Sequence, residues 1–121
     1  MNKFEEAIAD CSQAISLNNK EALFYFTRAN IYIDLKKFGE ARKDYDKTIA
    51  FNPQYALAFA GRANAFYEMG QYQQAIEDYD KAIKIQPHDA DAWRNRGYNK
   101  FKLGKNEAAL SDLNIALNLI K

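Results

Sequence analysis

A nine-residue phrase recurs along this chain at a fixed interval of thirty-four residues. It reads ARKDYDKTI at 41–49, AIEDYDKAI at 75–83 and ALSDLNIAL at 109–117, and a more distant copy, AIADCSQAI, stands at 7–15. A period between about twenty and fifty residues is typical of structural units that stack on one another, since a single unit cannot bury its own apolar face. The sequence therefore predicts a chain built from repeated units.

Within each unit, apolar residues recur at the three- and four-residue steps of an α-helix. In the central unit one such set begins at Ala56 and a second at Tyr72, with a short turn at Gly70 between them. Glycine readily adopts the left-handed backbone that ends a helix, and Pro87 prevents the second helix from continuing. The pattern predicts two amphipathic helices per unit.

The charge balance of the chain is nearly neutral, with 17 lysines and arginines, 16 acidic residues and a formal net charge of +1. Proteins that bind nucleic acid or anionic membranes usually carry a basic surface, so we expect no nucleic-acid partner. No apolar run approaches the length of a membrane span, which predicts no membrane insertion. The N-terminal stretch carries acidic residues where a signal peptide would be apolar, and a cytoplasmic location is the default expectation.

Residues suited to catalysis or metal binding are scarce. The chain has one cysteine, Cys11, and one histidine, His88, and it has no glycine-rich phosphate loop. One cysteine permits no intrachain disulfide, and these two residues together do not make a zinc site. We expect Cys11 to be a small buried apolar residue and His88 to be a solvated loop residue. The sequence predicts no enzymatic activity, no metal and no cofactor.

The units resemble tetratricopeptide repeats, a family of stacked helical hairpins. The residues that match the family's pattern of aromatic and small residues are Tyr25, Ala29, Tyr32, Phe38, Ala41, Tyr45, Pro53, Phe59, Ala63, Phe66, Tyr72, Ala75, Tyr79, Ala82, Pro87, Trp93, Gly97, Ala109 and Ala116. The resemblance implies an all-α fold, a right-handed superhelical stack of antiparallel helix pairs with about seven helices in a single domain, 1–121. It places the second helix of a partial repeat at 3–21 and full repeats at 22–55, 56–89 and 90–121.

Arginine and aspartate also recur at fixed positions of the unit. The arginines of the first helices are Arg28, Arg62 and Arg96, and the aspartates of the second helices are Asp44, Asp78 and Asp112. Antiparallel helices bring these two positions close together, and partly buried arginine is usually paired. We interpret them as a ladder of ion pairs that joins helix to helix and extends to the next unit. The alternative is a row of arginines that binds anions.

The resemblance also implies that the first helices of the units line a concave groove. The groove residues that it implies are Phe26, Asn30, Ile33, Ala60, Asn64, Tyr67, Arg94, Asn95, Tyr98 and Phe101. An asparagine side chain offers both a donor and an acceptor to one peptide unit of an extended ligand, and the aromatic residues would form apolar pockets. Ala60 and Gly61 are expected to leave space in the middle of the groove. Alternatively, the aromatic residues pack between units.

The family's best-known ligand is the acidic C-terminal tail of the heat-shock chaperones, which is held by lysines and an arginine at set groove positions. In this sequence Phe26 and Asp91 stand where those lysines would be, and Asn95 stands where the arginine would be. The resemblance therefore disfavours a chaperone tail as the ligand.

The function that these observations predict is a non-catalytic protein–protein interaction scaffold, which binds a peptide or a partner segment in the groove. One alternative is a self-assembly module, because apolar residues such as Phe4 and Ile8 in the first helix and Leu117 and Ile120 in the last lack a partner helix in the expected stack. Such a module would form homo-oligomers through its terminal helices. A further alternative is a targeting arm of a larger enzyme.

Overall fold

The computed structural model describes residues 2–121, and over these residues it contains seven α-helices. The helices are α1 (Lys3–Leu17), α2 (Ala22–Asp34), α3 (Phe38–Phe51), α4 (Ala56–Glu68), α5 (Tyr72–Ile85), α6 (Ala90–Lys102) and α7 (Asn106–Leu119). This architecture confirms the all-α prediction and the number of helices.

A residue with left-handed backbone lies two positions after the end of the first helix in each full unit. Gly70 has φ +76° and Gly104 has φ +79°, and Lys36 adopts φ 60° at the same position of the first unit. Behind Gly70, the Gln71 N–H donates to the Phe66 carbonyl at 2.8 Å, which satisfies a carbonyl that the helix itself leaves unpaired. The turn predicted at Gly70 is confirmed.

The helices pack in the order of the chain. The pairs α2–α3, α4–α5 and α6–α7 form antiparallel hairpins, and α1–α2, α3–α4 and α5–α6 make the contacts between successive units. The first helices α2 and α4 also touch each other. The result is the right-handed superhelical stack that the resemblance implied.

Small residues lie where the two helices of a hairpin cross. Ala29, Ala63 and Ala75 have no exposed surface. At Gly97 an added Cβ would approach the Ala109 carbonyl oxygen to 3.1 Å, so that crossing accommodates little more than glycine. Close helix contact leaves the larger apolar side chains to fill the space beside the crossings, which is the packing expected for this repeat pattern.

The polar residues Thr48 and Lys100 occupy positions that other units fill with apolar side chains, and both find partners. Thr48 is fully buried at the position of Ala82, and its hydroxyl donates to the Asp44 carbonyl at 2.8 Å. Lys100 stands at the position that Phe66 holds in the preceding unit, and its Nζ lies 3.0 Å from Asp112 Oδ2. Neither substitution leaves a buried donor unsatisfied.

The first helix, α1, is the least enclosed part of the stack, and none of its residues is fully buried. Cys11 is only half-buried, so the expectation of a buried residue is met in part. Burial raises the pKa of its thiol despite the opposing charge of Arg28. No helix in the described residues 2–121 has the length and apolar character needed to cross a membrane.

Candidate functional site

The predicted ladder of ion pairs fixes how the groove-lining helices are held. The Nε and Nη2 atoms of each arginine donate hydrogen bonds to the two carboxylate oxygens of the aspartate sixteen residues later. The donor–acceptor distances are 2.7 and 2.8 Å for Arg28–Asp44, 2.8 and 2.8 Å for Arg62–Asp78, and 2.9 and 2.9 Å for Arg96–Asp112. This parallel two-bond geometry is the strong form of the arginine–carboxylate pair.

The third guanidinium nitrogen, Nη1, reaches back to the preceding unit. It donates to Asp46 at 2.9 Å from Arg62 and to Asp80 at 2.8 Å from Arg96. In the first unit the same atom of Arg28 meets the Ser12 hydroxyl at 3.0 Å. The ladder therefore links the helices of one unit and also links each unit to the one before, as predicted.

Because these donors are used within the stack, the arginines are clamps between helices and not a row open to anions. Hydrogen bonding to Asp78 raises the pKa of Arg62 further above its already high value. Burial raises the pKa of the Asp112 carboxyl, but the hydrogen bonds from Arg96 and Lys100 outweigh it, and the net effect is a lowered pKa. Arg62 and Asp112 thus both stay charged near neutral pH.

Four of the ten predicted groove residues meet around one cavity. Asn64 and Tyr67 come from α4, and Asn95 and Tyr98 come from α6. Together with Tyr79 of α5 and Asn99 of α6 they line a space of about 110 Å³. All six lining side chains are neutral, and burial raises the pKa of Tyr79 to about 12, so this phenol also stays uncharged at neutral pH.

Of four other predicted residues, three lie closer to the packed interior and one is exposed. Ile33 and Ala60 are half-buried and pack against the core. Phe26 is half-buried as well, and its ring lies 4.8 Å from the Tyr55 ring and 6.1 Å from the Tyr45 ring, measured between centroids. Asn30 is exposed, and its Oδ1 accepts a hydrogen bond from the Tyr45 hydroxyl. At Phe26, Ile33 and Ala60, packing between units accounts for much of the surface.

The expectation that Gly61 leaves open space in the groove is wrong. A Cβ at this position would lie 2.5 Å from Cζ and 2.7 Å from Cε1 of the Tyr45 ring. Tyr45 is almost completely buried, so its ring fills the volume that the missing side chain provides. Gly61 therefore serves the packing of α3 against α4.

The remaining two predicted residues, Arg94 and Phe101, are exposed. Arg94 Nη2 forms an ion pair with Asp91 Oδ1 at 3.1 Å along α6, and 60% of Phe101 is accessible to solvent. Arg94 also lines, with Tyr98 and Leu117, a mainly apolar cavity of about 170 Å³ between α6 and α7. These side chains are available for contact with a ligand.

Of the six cavity residues, Tyr79 and Asn99 were not predicted to line the groove, and the sequence reasoning gave no role to Asn99. It is 1% exposed, and its Nδ2 donates to the Asn95 carbonyl at 2.8 Å. A signal for it exists in the repeat, because the same position holds Ile31 in the first unit and Ala65 in the second. A carboxamide at a position that is otherwise apolar marks a local departure from the packing pattern.

The comparisons with known proteins agree with this geometry. A sequence model described as "TPR repeat" matches residues 29–70 and 63–104. The chain belongs to the tetratricopeptide repeat family. A comparison with curated proteins finds no match to the sequence.

Among solved structures, this repeat chain is similar to MamA, with a TM-score of 0.92 and 24% identity over 96% of this chain and 68% of that one. A MamA from Desulfovibrio magneticus RS-1 gives a TM-score of 0.90 and 16% identity over 96% of this chain and 66% of that one. These two likenesses establish the fold, and this chain spans about two thirds of their length. The second TPR of Spaghetti (RPAP3), bound to the HSP90 peptide SRMEEVD, gives a TM-score of 0.80 and 30% identity over 86% of this chain and 97% of that one.

Proposed function

We propose that this chain is a non-catalytic scaffold that binds an extended segment of a partner protein along α2, α4 and α6. The observation that carries the proposal is the cavity between α4 and α6, where Asn64, Tyr67, Asn95 and Tyr98 converge. The RPAP3 repeat, which is similar in fold and 30% identical, holds a peptide and supports the same class of ligand here.

The chemistry of the groove suits an extended backbone. Each asparagine offers a donor and an acceptor, which matches the C=O and N–H of one peptide unit. Tyr98 and Phe101 are half or more exposed, so a ligand that covered them would remove apolar surface from water. The ligand gains hydrogen bonds in the middle of the groove and apolar contact on α6.

The charges around the groove argue against a strongly acidic tail. Phe26 offers no positive charge at the α2 end, and Asp91 places a carboxylate on α6 beside Arg94. An acidic peptide would meet that carboxylate with only one nearby guanidinium, already paired. We therefore expect SRMEEVD to bind more weakly than a neutral segment.

The test is selection of heptapeptides from a random displayed library, followed by affinity measurement with fluorescently labelled copies. The groove variant is Asn64→Ala/Tyr98→Ala, and the matched control is Gln73→Ala/Gln74→Ala, which changes two exposed side chains of α5. We expect the groove variant to lose at least tenfold in affinity and the control to bind like the wild type, with both variants folded by circular dichroism. Equal binding by the groove variant, or no enriched peptide, would overturn the proposal.

A second candidate is self-assembly, which the exposed apolar face of the last helix favours. Leu110, Leu117 and Ile120 are 59%, 52% and 71% exposed, and Leu117 and Ile120 border the apolar cavity between α6 and α7. Contact with a second copy of the chain would cover them. Light scattering should then give a mass that rises with protein concentration and that falls back to a monomer in Leu117→Glu. A constant monomer mass in the wild type would exclude this candidate.

A further inference from the structure

The side-chain oxygen of Asn99 is an acceptor without a donor. Among the buried side-chain nitrogen and oxygen atoms of the described residues, Asn99 Oδ1 is the one without a hydrogen-bond partner. The Asn99 amide is not free to turn over, because its Nδ2 donates to the main-chain carbonyl oxygen of Asn95 at 2.8 Å. An amide oxygen in the place of Nδ2 would be repelled by that carbonyl. The buried oxygen is therefore held in one orientation.

The fold itself does not require this carboxamide. At the equivalent position of the second unit, Ala65 is fully buried between the same kinds of helix, and the first unit has Ile31 there. A buried acceptor without a donor lowers the stability of a protein, so an apolar residue would serve the stack better. A ligand group that supplies a donor would satisfy this atom.

The cavity lined by Asn99 determines what kind of group can enter. Its other walls are the carboxamides of Asn64 and Asn95 and the phenol rings of Tyr67, Tyr79 and Tyr98. At about 110 Å³ it has the volume of roughly three or four water molecules, which fits a short planar group and not a large ring. Two asparagines and two flat rings on opposite helices suit a planar amide that both donates and accepts.

Charged side chains fit this lining poorly. A carboxylate would bring a second acceptor towards Asn99 Oδ1, and an ammonium group would enter a space whose lining contains no carboxylate. An apolar side chain would leave Oδ1 without its donor. A carboxamide supplies an N–H for Oδ1 and an oxygen for the amide donors of Asn64 or Asn95.

We propose that this cavity is a side-chain subsite that selects an asparagine or glutamine of the bound segment, with Asn99 Oδ1 as the acceptor that reads the amide. The proposal rests on the groove being the binding surface, and it names the specificity of that surface.

The experiment is a double-mutant cycle on the peptides selected from the heptapeptide library. The protein is the wild type or Asn99→Ala, and the peptide carries either the enriched glutamine or a methionine of similar size in its place. We expect the glutamine peptide to lose about tenfold in affinity on Asn99→Ala, and the methionine peptide to bind both proteins equally. Asn114→Ala, an exposed carboxamide on α7, is the matched control and should bind both peptides like the wild type.

The folding of Asn99→Ala is checked by its melting temperature, which we expect not to fall, since Ala65 occupies the same environment. Asn99→Ile, which copies Ile31, serves as a second variant with the same expected loss of selectivity. Selected peptides without an asparagine or glutamine preference, or a preference that persists in both Asn99 variants, would overturn the subsite and leave the groove intact. Failure to select any peptide would overturn the groove and the subsite together.

Discussion

Two junctions between first helices are built from the same repeat positions and differ in whether a side chain fills the space between the helices. The first junction is formed by α2, α3 and α4, and the second by α4, α5 and α6. In the first, the Tyr45 ring fills the space over Gly61, and its hydroxyl donates to Asn30. In the second, Asn95 replaces the glycine and a cavity of about 110 Å³ lies above Tyr79. The residue beside the tyrosine ring is thus glycine in the filled junction and asparagine in the open one.

What the junctions share is the ladder. Arg62 is common to both, because it pairs with Asp78 in the second and reaches back to Asp46 in the first. The frame that positions the helices is thus constant along the stack, while the residues between the arginines vary. The lining of a junction can therefore change without any change in how the helices are held.

The largest change in stability is expected when the ladder of ion pairs that the two junctions share is broken. Arg62→Ala leaves Asp78, whose side chain is 4% exposed, as a buried carboxylate without its partner. We expect a loss of about 3 kcal/mol in the free energy of unfolding, or roughly 10 °C in melting temperature, with little change in peptide affinity. The control Arg42→Ala removes only an exposed ion pair to Asp46 and should cost less than about 1 kcal/mol. A variant that melts like the wild type but no longer binds peptide would show that Arg62 belongs to the binding surface.

A smaller effect should follow from converting the first junction towards the second. Gly61→Ala places a Cβ within 2.7 Å of the buried Tyr45 ring, and we expect the displaced ring to cost about 2 kcal/mol in urea unfolding. Gly39→Ala is the matched control, because nothing lies within 4 Å of a Cβ at that position of α3, and it should not destabilise the protein. Equal stability of the two variants would mean that Tyr45 can move aside freely and that the filled junction does not depend on glycine.

The smallest effect distinguishes the two tyrosines. Tyr45→Phe removes the hydrogen bond to Asn30 from a tightly packed ring and should cost about 1 kcal/mol. Tyr79→Phe should cost about half as much, because its hydroxyl borders a cavity instead of a filled space. The two variants are compared by urea unfolding under one set of conditions. A larger loss for Tyr79→Phe would reverse the assignment of the filled and open junctions.

The repeat made the fold predictable to the level of individual helices. A fixed period constrains each residue several times over, so the turn at Gly70 and the pairing of Arg62 with Asp78 followed from counting along the chain. The ladder was predictable because both of its members recur at every unit. The same argument gave the small residues at the crossings, such as Ala63 and Ala75.

The groove was less predictable because its details depend on side-chain packing between units. Whether Gly61 is open or filled is decided by the ring of Tyr45, which lies sixteen residues earlier on another helix. Phe26 has the sequence character of a pocket residue, but its ring packs against Tyr55. Asn99 was not predicted, because a repeat pattern identifies the positions at which the units carry similar residues. Asn99 is informative because it differs from Ala65 at the equivalent position of the preceding unit.

The spacing of the ladder has a consequence for how the chain folds. Each arginine donates hydrogen bonds to a residue sixteen positions ahead of it and to one sixteen positions behind, so each of these contacts closes a short loop of the chain. Short loops cost little entropy to close, and proteins dominated by such nearby contacts fold quickly. The stack can grow by one hairpin at a time onto a neighbour that has already formed, like a one-dimensional polymer. Unfolding should start at α1, the least enclosed helix, and advance along the chain one hairpin at a time.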